Sequence, residues 1–158
     1  MKIGVCSDTH SLNLPSKLLD GFNGVDLIIH AGDICDESVL KELKTIAPVK
    51  AVQGNMDDSS LKKKLPLREI IDVDGVRIGI CHGHVGGGKA FENAQIQFER
   101  DNVQVVVFGH SHHALNEHIN NILYFNPGSP NDVVKAKFFS FGILTIKDQS
   151  VKGEIIKI

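Results

Sequence analysis

The chain has 158 residues, of which 42% are hydrophobic and 23% charged, and its 17 basic and 19 acidic side chains leave a net charge of −2. Such a chain is long enough to bury a core of its own, so we expect a single domain over residues 1–158. The slightly acidic balance argues against a surface that binds duplex nucleic acid through its phosphates. No apolar run approaches the roughly 20 residues of a membrane span, and no membrane partner is expected.

The start of the chain, MKIGVCSD, reaches Asp8 too early for a secretory leader and predicts a buried first strand. The three cysteines, Cys6, Cys35 and Cys81, form no C-x-x-C pair and cannot all pair with one another. We therefore expect reduced thiols and a cytoplasmic location.

The first half of the chain alternates apolar strands with amphipathic stretches. Strands are predicted at 2–7, 26–31 and 49–53, and helices at 15–22 and 36–46, the second with Asp36 as N-cap. Because each strand is almost wholly apolar, these segments indicate βαβ units whose parallel strands are covered on both faces.

The second half consists mostly of hairpins. Segments 67–73 and 76–82 flank Asp74-Gly75, a strong hairpin signal, and a helix over 89–101 leads to a strand at 103–109. Two further strand pairs follow, at 114–119 with 122–125 and at 138–147 with 151–158. Parallel units followed by hairpins predict a layered αββα sandwich of two mixed β-sheets flanked by helices. The alternative, one open doubly wound sheet, explains the first half better than the second.

Polar residues with metal-binding side chains follow five of the predicted strands. The carboxyl ends of parallel strands meet at one edge of a sheet, so these side chains are expected to converge. They are Asp8 and His10, then Asp33, then Asn55 with Asp57, then His82 with His84, and last His110 with His112.

Spacing supports the convergence. Residues i and i+2 of an extended segment point to the same side, about 6–7 Å apart, so Asp8 with His10, and His110 with His112, are each predicted to direct two ligands into one pocket. The adjacent glycines are expected to let the backbone turn sharply at the strand ends. The remaining candidates, His30, His113 and His118, are interpreted as structural histidines.

The segments SDTH, GD, GNMD, CHGH and GHSH, together with NPGS at 126–129, resemble the calcineurin-like metallophosphoesterases, in particular their small single-domain bacterial and archaeal phosphodiesterase branch. The resemblance covers essentially the whole chain. It implies an αββα sandwich with two divalent metal ions at the sheet edge. By this resemblance one ion would be bound by Asp8, His10 and His112 and the other by Asn55, His82 and His110, with Asp33 bridging both.

We expect Mn²⁺ as the metal. A ligand set of carboxylate, amide and imidazole groups also suits Zn²⁺, Fe²⁺, Co²⁺ or Ni²⁺, but it fits Ca²⁺ poorly. The predicted activity is hydrolysis of small phosphodiesters by a metal-bridging hydroxide. Asn55 and a neighbouring histidine, His110, would stabilise the transition state.

The chain departs from the larger members of this family in two ways. Met56 occupies the position of the histidine that is thought to protonate the leaving oxygen, and His84 is the nearest candidate to replace it, with support of the His82 turn as its equal alternative. We also expect no added specificity domain of the kind found on the larger nucleases. A small or accessible substrate is therefore expected, or a homo-oligomer whose partner supplies the walls of the site.

Three other functions are alternatives to a phosphodiesterase. One is a non-catalytic metal-binding scaffold like the retromer subunit of the same fold, although that subunit lacks several ligands that are present here. Another is a nuclease acting on nucleic-acid ends, against which the acidic balance and the lack of an aromatic and basic strip argue. A Ser/His/Asp hydrolase is disfavoured because no serine has the nucleophile-elbow context.

Overall fold

A computed structural model describes residues 1–10 and 13–158. In chain order the elements of this part are β1 (Lys2–Cys6), α1 (Ser16–Gly21), β2 (Leu27–His30), α2 (Glu37–Lys44), β3 (Val49–Ala51), α3 (Ser59–Lys64), β4 (Arg68–Val73), β5 (Val76–Cys81), α4 (Ala90–Phe98), β6 (Val105–Val107), β7 (Leu115–Ile119), β8 (Ile122–Asn126), β9 (Ser140–Lys147) and β10 (Ser150–Lys157).

The strands form two five-stranded mixed sheets, ordered β10-β9-β1-β2-β3 and β4-β5-β6-β8-β7. In the first, β1, β2 and β3 are parallel and β9 runs antiparallel to β1. In the second, β5, β6 and β8 are parallel, with β4 and β7 antiparallel at the two edges. The predicted sandwich of two mixed sheets is confirmed. The alternative of one open sheet is wrong, because the hairpins build edges of two separate sheets.

Alternation along the strands divides the core into three apolar layers. Ile3 and Val5 of β1 pack between the two sheets, together with Val105 and Val107 of β6. The intervening residues face the helices: Cys6 packs in the layer with α1 and α2, and Val106 in the layer with α4. Both faces of these strands are therefore buried, which explains why successive residues along each strand are apolar and do not alternate with polar ones.

Most elements begin or end within a few residues of the predicted bounds, and two differences bear on the site. The strand predicted over 103–109 is shorter, covering only Val105–Val107, because the amide of Gly109 donates instead to the His82 carbonyl at 3.1 Å and joins two loops at the sheet edge. Helix α3 was not predicted; it begins after Asp58, whose carboxylate accepts from the Leu61 amide at 2.8 Å.

Among the helices of residues 1–10 and 13–158, none is both long and apolar enough to cross a membrane.

Candidate metal centre

The candidate ligands lie where the carboxyl ends of β1, β2, β5 and β6 meet at one edge of the sandwich. They form two clusters, and within each cluster the candidate ligand atoms lie within 4.8 Å of one another. The first cluster consists of Asp8, His10 and His112, and the second of Asp33, His82 and His110.

In the first cluster, the His112 ring lies between the other two side chains. Its Nε2 is 3.1 Å from Asp8 Oδ1 and 3.3 Å from His10 Nε2. Asp8 is fully buried and His112 almost so, whereas His10 reaches the surface. The cluster therefore has a buried floor and one open side.

In the second cluster, His82 Nε2 lies 3.2 Å from Asp33 Oδ2, and both residues are buried. The His110 ring centroid is 5.1 Å from that of His82. The same His82 nitrogen lies 3.9 Å from Asp8 Oδ1, so the two clusters adjoin each other.

The tautomers of the two buried histidines indicate what belongs between these atoms. His82 Nδ1 is 2.7 Å from the Ala31 carbonyl, which can only accept, so Nδ1 carries the proton and Nε2 a lone pair. His112 Nδ1 is likewise bonded to the Asp132 carboxylate. In the neutral ring each Nε2 lone pair faces a carboxylate oxygen, an arrangement that is repulsive unless a proton or a metal ion lies between the two atoms.

The geometry of the clusters fits divalent metal ions. Ligand bonds of ~2.0–2.1 Å at angles between 90° and tetrahedral separate two ligand atoms by roughly 3.0–3.4 Å, and the distances of 3.1, 3.2 and 3.3 Å fall in this range. Asp8 Oδ1 and His82 Nε2 are buried yet have no hydrogen-bond partner among the described residues. The short contacts of these atoms with His112 Nε2 and Asp33 Oδ2, respectively, therefore require either a proton or a metal ion between the partners.

Charge in the site favours a cation in the same way. Burial would raise the pKa of Asp33, but hydrogen bonds from His82 and the Met56 amide outweigh it and hold that pKa at about 2. Burial would lower the pKa of His82 and of His112, yet the adjoining carboxylates raise both above the ordinary value. A proton on each ring thus occupies the position in which a metal ion would otherwise balance the carboxylates.

Left-handed backbone conformations aim the ligands. Positive φ angles of 50–66° occur at five candidate ligands, a conformation that non-glycine residues rarely adopt and that clusters at functional sites. These residues are Asp8, His10, Asp33, His110 and His112. The expectation of extended i, i+2 pairs is therefore wrong for the backbone, and His110 and His112 point into different clusters.

Two glycines allow close approach and do not provide the expected sharp turn. A Cβ atom at Gly54 would overlap the amide and carboxylate of Asp33, and one at Gly109 would overlap Ser7 Oγ and approach Asp8. Neither glycine has a positive φ, whereas Gly32 does, at 93°. Gly32 and Gly83, the latter with a φ of 94°, match the turn that is predicted for these positions.

Several bracing residues were missed at the sequence level. Asp57 accepts from the amides of Cys35 and Gly54 and joins two ligand loops. From the NPGS segment, Asn126 donates to the Gly109 carbonyl at 2.9 Å and Ser129 to the Asp8 carbonyl at 2.8 Å. The NPGS motif was the available signal, but only the three-dimensional structure assigns it this role.

The residues proposed for catalysis lie beside the second cluster. Asn55 is exposed in a loop whose next residue, Met56, donates its amide to Asp33 at 2.8 Å. The His84 ring is 5.4 Å from that of His82 and 6.3 Å from that of His110. Burial and these neighbouring rings lower the pKa values of His84 and His110, so both rings are neutral at pH 7 in the metal-free protein.

The remaining histidines, together with Cys6 and Cys81, show no arrangement among the described residues that indicates a catalytic role. His30 is buried and pairs with Thr9 Oγ1 at 3.1 Å, while His113 and His118 are exposed. Burial raises the pKa of the Cys81 thiol to about 12 and that of Cys6 further still, so neither is a thiolate nucleophile.

The protein is thus a layered α/β sandwich with two candidate metal-binding clusters at the edges of its sheets. Residues 1–149 match the model of the calcineurin-like phosphoesterase superfamily domain. The chain belongs to that superfamily and is a phosphoric ester hydrolase. The resemblance identified from the sequence motifs is thereby confirmed.

Relatives and solved structures agree with this assignment. A probable metallophosphoesterase of Methanocaldococcus jannaschii is 37% identical over 154 residues, which cover 94% of this chain and 78% of that protein. The structure of a novel archaeal phosphodiesterase is similar with a TM-score of 0.81 and 26% identity, covering 99% of this chain and 100% of that one. Wild-type Vps29 from Entamoeba histolytica, complexed with Zn²⁺, has a TM-score of 0.79 and 26% identity, covering 99% of each chain.

Proposed function

We propose that this protein hydrolyses small phosphodiesters with the aid of two divalent metal ions, Mn²⁺ first among the candidates. The observation that carries the proposal is the pair of adjoining clusters whose lone pairs converge without a partner at Asp8 Oδ1 and His82 Nε2. A likeness to the solved archaeal phosphodiesterase supports the substrate class.

In this proposal, the first ion is held by Asp8, His10 and His112. The second is held by His82, His110 and Asn55, and Asp33 contributes to both. Two such ions, when bound, supply Lewis acidity and lower the pKa of water. Because only two carboxylates oppose them, the loaded site is cationic and attracts a phosphodiester monoanion.

The chain's own groups then serve the reaction. Oxygen from water adds to phosphorus, the bond to the leaving group breaks, and the leaving oxygen takes up a proton. Asn55 and His110 stabilise negative charge on the phosphoryl oxygens, since both lie at the open side of the second cluster. His84, which lies beside the second cluster, is the proposed proton donor. Because its pKa is lowered, it would donate from a minor imidazolium form.

The proposal is tested with metal-depleted protein that is reloaded with Mn²⁺, Zn²⁺, Fe²⁺, Co²⁺ or Ni²⁺ and assayed on bis(4-nitrophenyl) phosphate and 4-nitrophenyl phosphate. Diester hydrolysis should depend on metal and should be lost in Asp8→Ala, Asp33→Ala and His110→Ala. Asp26→Asn removes an exposed carboxylate that binds the Lys2 amide, at the opposite end of β1, and should retain activity. Wild-type turnover in all three site variants would refute the proposal.

A metal-binding scaffold is the second candidate, because the similar Vps29 structure holds Zn²⁺. Metal binding alone does not separate the two functions, whereas turnover does. A protein that binds two ions per chain but cleaves neither ester, nor short oligonucleotides, would support the scaffold. Cleavage confined to oligonucleotide ends would instead support the nuclease. The cytoplasmic location is part of the proposal and is tested by cell fractionation.

A further inference from the structure

A cavity of about 430 Å³ opens beside the first cluster. His10 and His112 form one wall, and the segment 131–135, here called the 131–135 loop, forms the other. The volume is in the range of small-ligand pockets, roughly 300–1,000 Å³. The cavity is thus continuous with the metal centre and large enough for a ring-sized group.

The loop wall is apolar and exposed. Val133 and Val134 are 81% and 85% exposed, an adjacent pair of branched apolar side chains left in solvent. Single exposed apolar residues are common, but contiguous ones mark binding surfaces. A further apolar residue of the same chain, Ile96, is 63% exposed on α4 and does not line this cavity.

The loop is tied to the metal centre through Asp132. One oxygen of its carboxylate accepts from the amides of Val134 and Lys135, at 2.8 and 3.4 Å, and the other binds His112 Nδ1. The positions of the valines are therefore fixed relative to a candidate metal ligand. Lys135 lines the same cavity at the end of the loop, beside His10 and His112.

We propose that the 131–135 loop binds the ester group that remains on phosphorus, that this group is a flat apolar ring, and that Lys135 pairs with a phosphoryl oxygen. The inference rests on the proposed phosphodiesterase function. His84, the proposed donor to the leaving oxygen, lies beside the second cluster, so the remaining ester group is directed to the first. The ring comes either from a nucleobase or from another aromatic ester.

Three diesters test this inference. Each has 4-nitrophenol as its leaving group, and the group that remains on phosphorus is phenyl, methyl or thymidine (through its 5′ oxygen). The wild type should prefer the phenyl ester to the methyl ester. Val133→Ser combined with Val134→Ser should raise KM for the phenyl ester about ten-fold, with little change for the methyl ester, as expected for lost apolar contact. Ile96→Ser is the matched control and should change neither. The thymidine ester identifies the source of the ring. A higher kcat/KM for this ester than for the phenyl ester indicates a nucleobase, and a lower value indicates another aromatic ester.

Lys135→Gln should raise KM for all three esters alike, because the phosphoryl group is common to them. Equal loss on the phenyl and methyl esters in the double serine variant, or no preference in the wild type, would overturn the inference.

A binding measurement separates this inference from the proposed function. Diphenyl phosphate added to EDTA-treated protein should shift the methyl resonances of Val133 and Val134, and dimethyl phosphate should not. Shifts at these valines in a protein that cleaves no ester would refute the function and uphold the pocket. Hydrolysis without such shifts would uphold the function and refute the pocket.

Discussion

Replacement of Asp132 should weaken metal binding although this residue is not a proposed ligand. One oxygen of its carboxylate accepts a hydrogen bond from His112 Nδ1, and the other accepts one from the Val134 amide at 2.8 Å. In Asp132→Asn the single amide oxygen can serve only one of these donors. If the amide NH₂ faces His112, it requires a lone pair on Nδ1, which moves the proton to Nε2 and removes the ligand atom.

The magnitude follows from the general effect of such outer partners. Their loss costs about 10–100-fold in metal affinity, or about 1.4–2.7 kcal/mol. Asp132→Ala should reach the upper end, because it also releases the turn at Val134 and Lys135. Titration of metal-free protein with Mn²⁺ or Zn²⁺ against a competing chelator measures this, and Asp26→Asn controls for the loss of one carboxylate charge. Wild-type affinity in both Asp132 variants would refute the reasoning.

Three other outcomes are expected. Metal at 100 times the Kd of each site should stabilise the protein by about 2.7 kcal/mol per ion, or about 5.4 kcal/mol for two ions, in urea unfolding, and Asp33→Ala should abolish the gain. In the metal-free protein, burial lowers the pKa of His30 to about 4, so the unfolded chain alone takes up this proton below about pH 6.5. The contribution of His30 to stability should fall by on the order of 3 kcal/mol from there to pH 4. The raised pKa values of His82 and His112 act in the opposite direction, so this contribution is measured as the difference between the pH slopes of the wild type and His30→Gln. Because Met56 cannot donate a proton to the leaving oxygen, 4-nitrophenyl diesters should be cleaved far faster than alkyl diesters. Met56→His should narrow this difference in rate, and His84→Ala should widen it. Equal effects of His84→Ala on both esters would assign His84 to a structural role.

The sequence was sufficient for the topology because its signals were local. Apolar strands alternating with helices, and turns such as Asp74-Gly75, indicated parallel units and hairpins, and both are present. The convergence of Asp8, Asp33 and His82 followed from one rule about the ends of parallel strands. Each is found at the predicted edge, in one of the two clusters.

The details of the site depended on contacts between distant segments. Asp132 was overlooked because no local pattern links it to His112, 20 residues away. The backbone conformation at Asp8 and His110 was also misjudged, since a strand-end residue with positive φ looks like any other in sequence. Tertiary hydrogen bonds compensate for that strain, such as the one from the His110 amide to Asp8 Oδ2 at 3.0 Å.

The segment after β8 links the first metal cluster to the proposed substrate pocket. Ser129 and Asn131 bond to the carbonyls of Asp8 and Thr9, and Asp132 bonds to His112, so the base of this segment is fixed to the first cluster. The side chains of the two valines beyond it are exposed to solvent, although the Val134 amide donates to Asp132. Because the bracing groups and the ring-binding groups are different side chains, substrate preference at Val133 and Val134 can change without loss of the metal centre. Asp132 links the two sets, because its carboxylate bonds both His112 and the Val134 amide, and its replacement should therefore alter metal affinity and ester preference together.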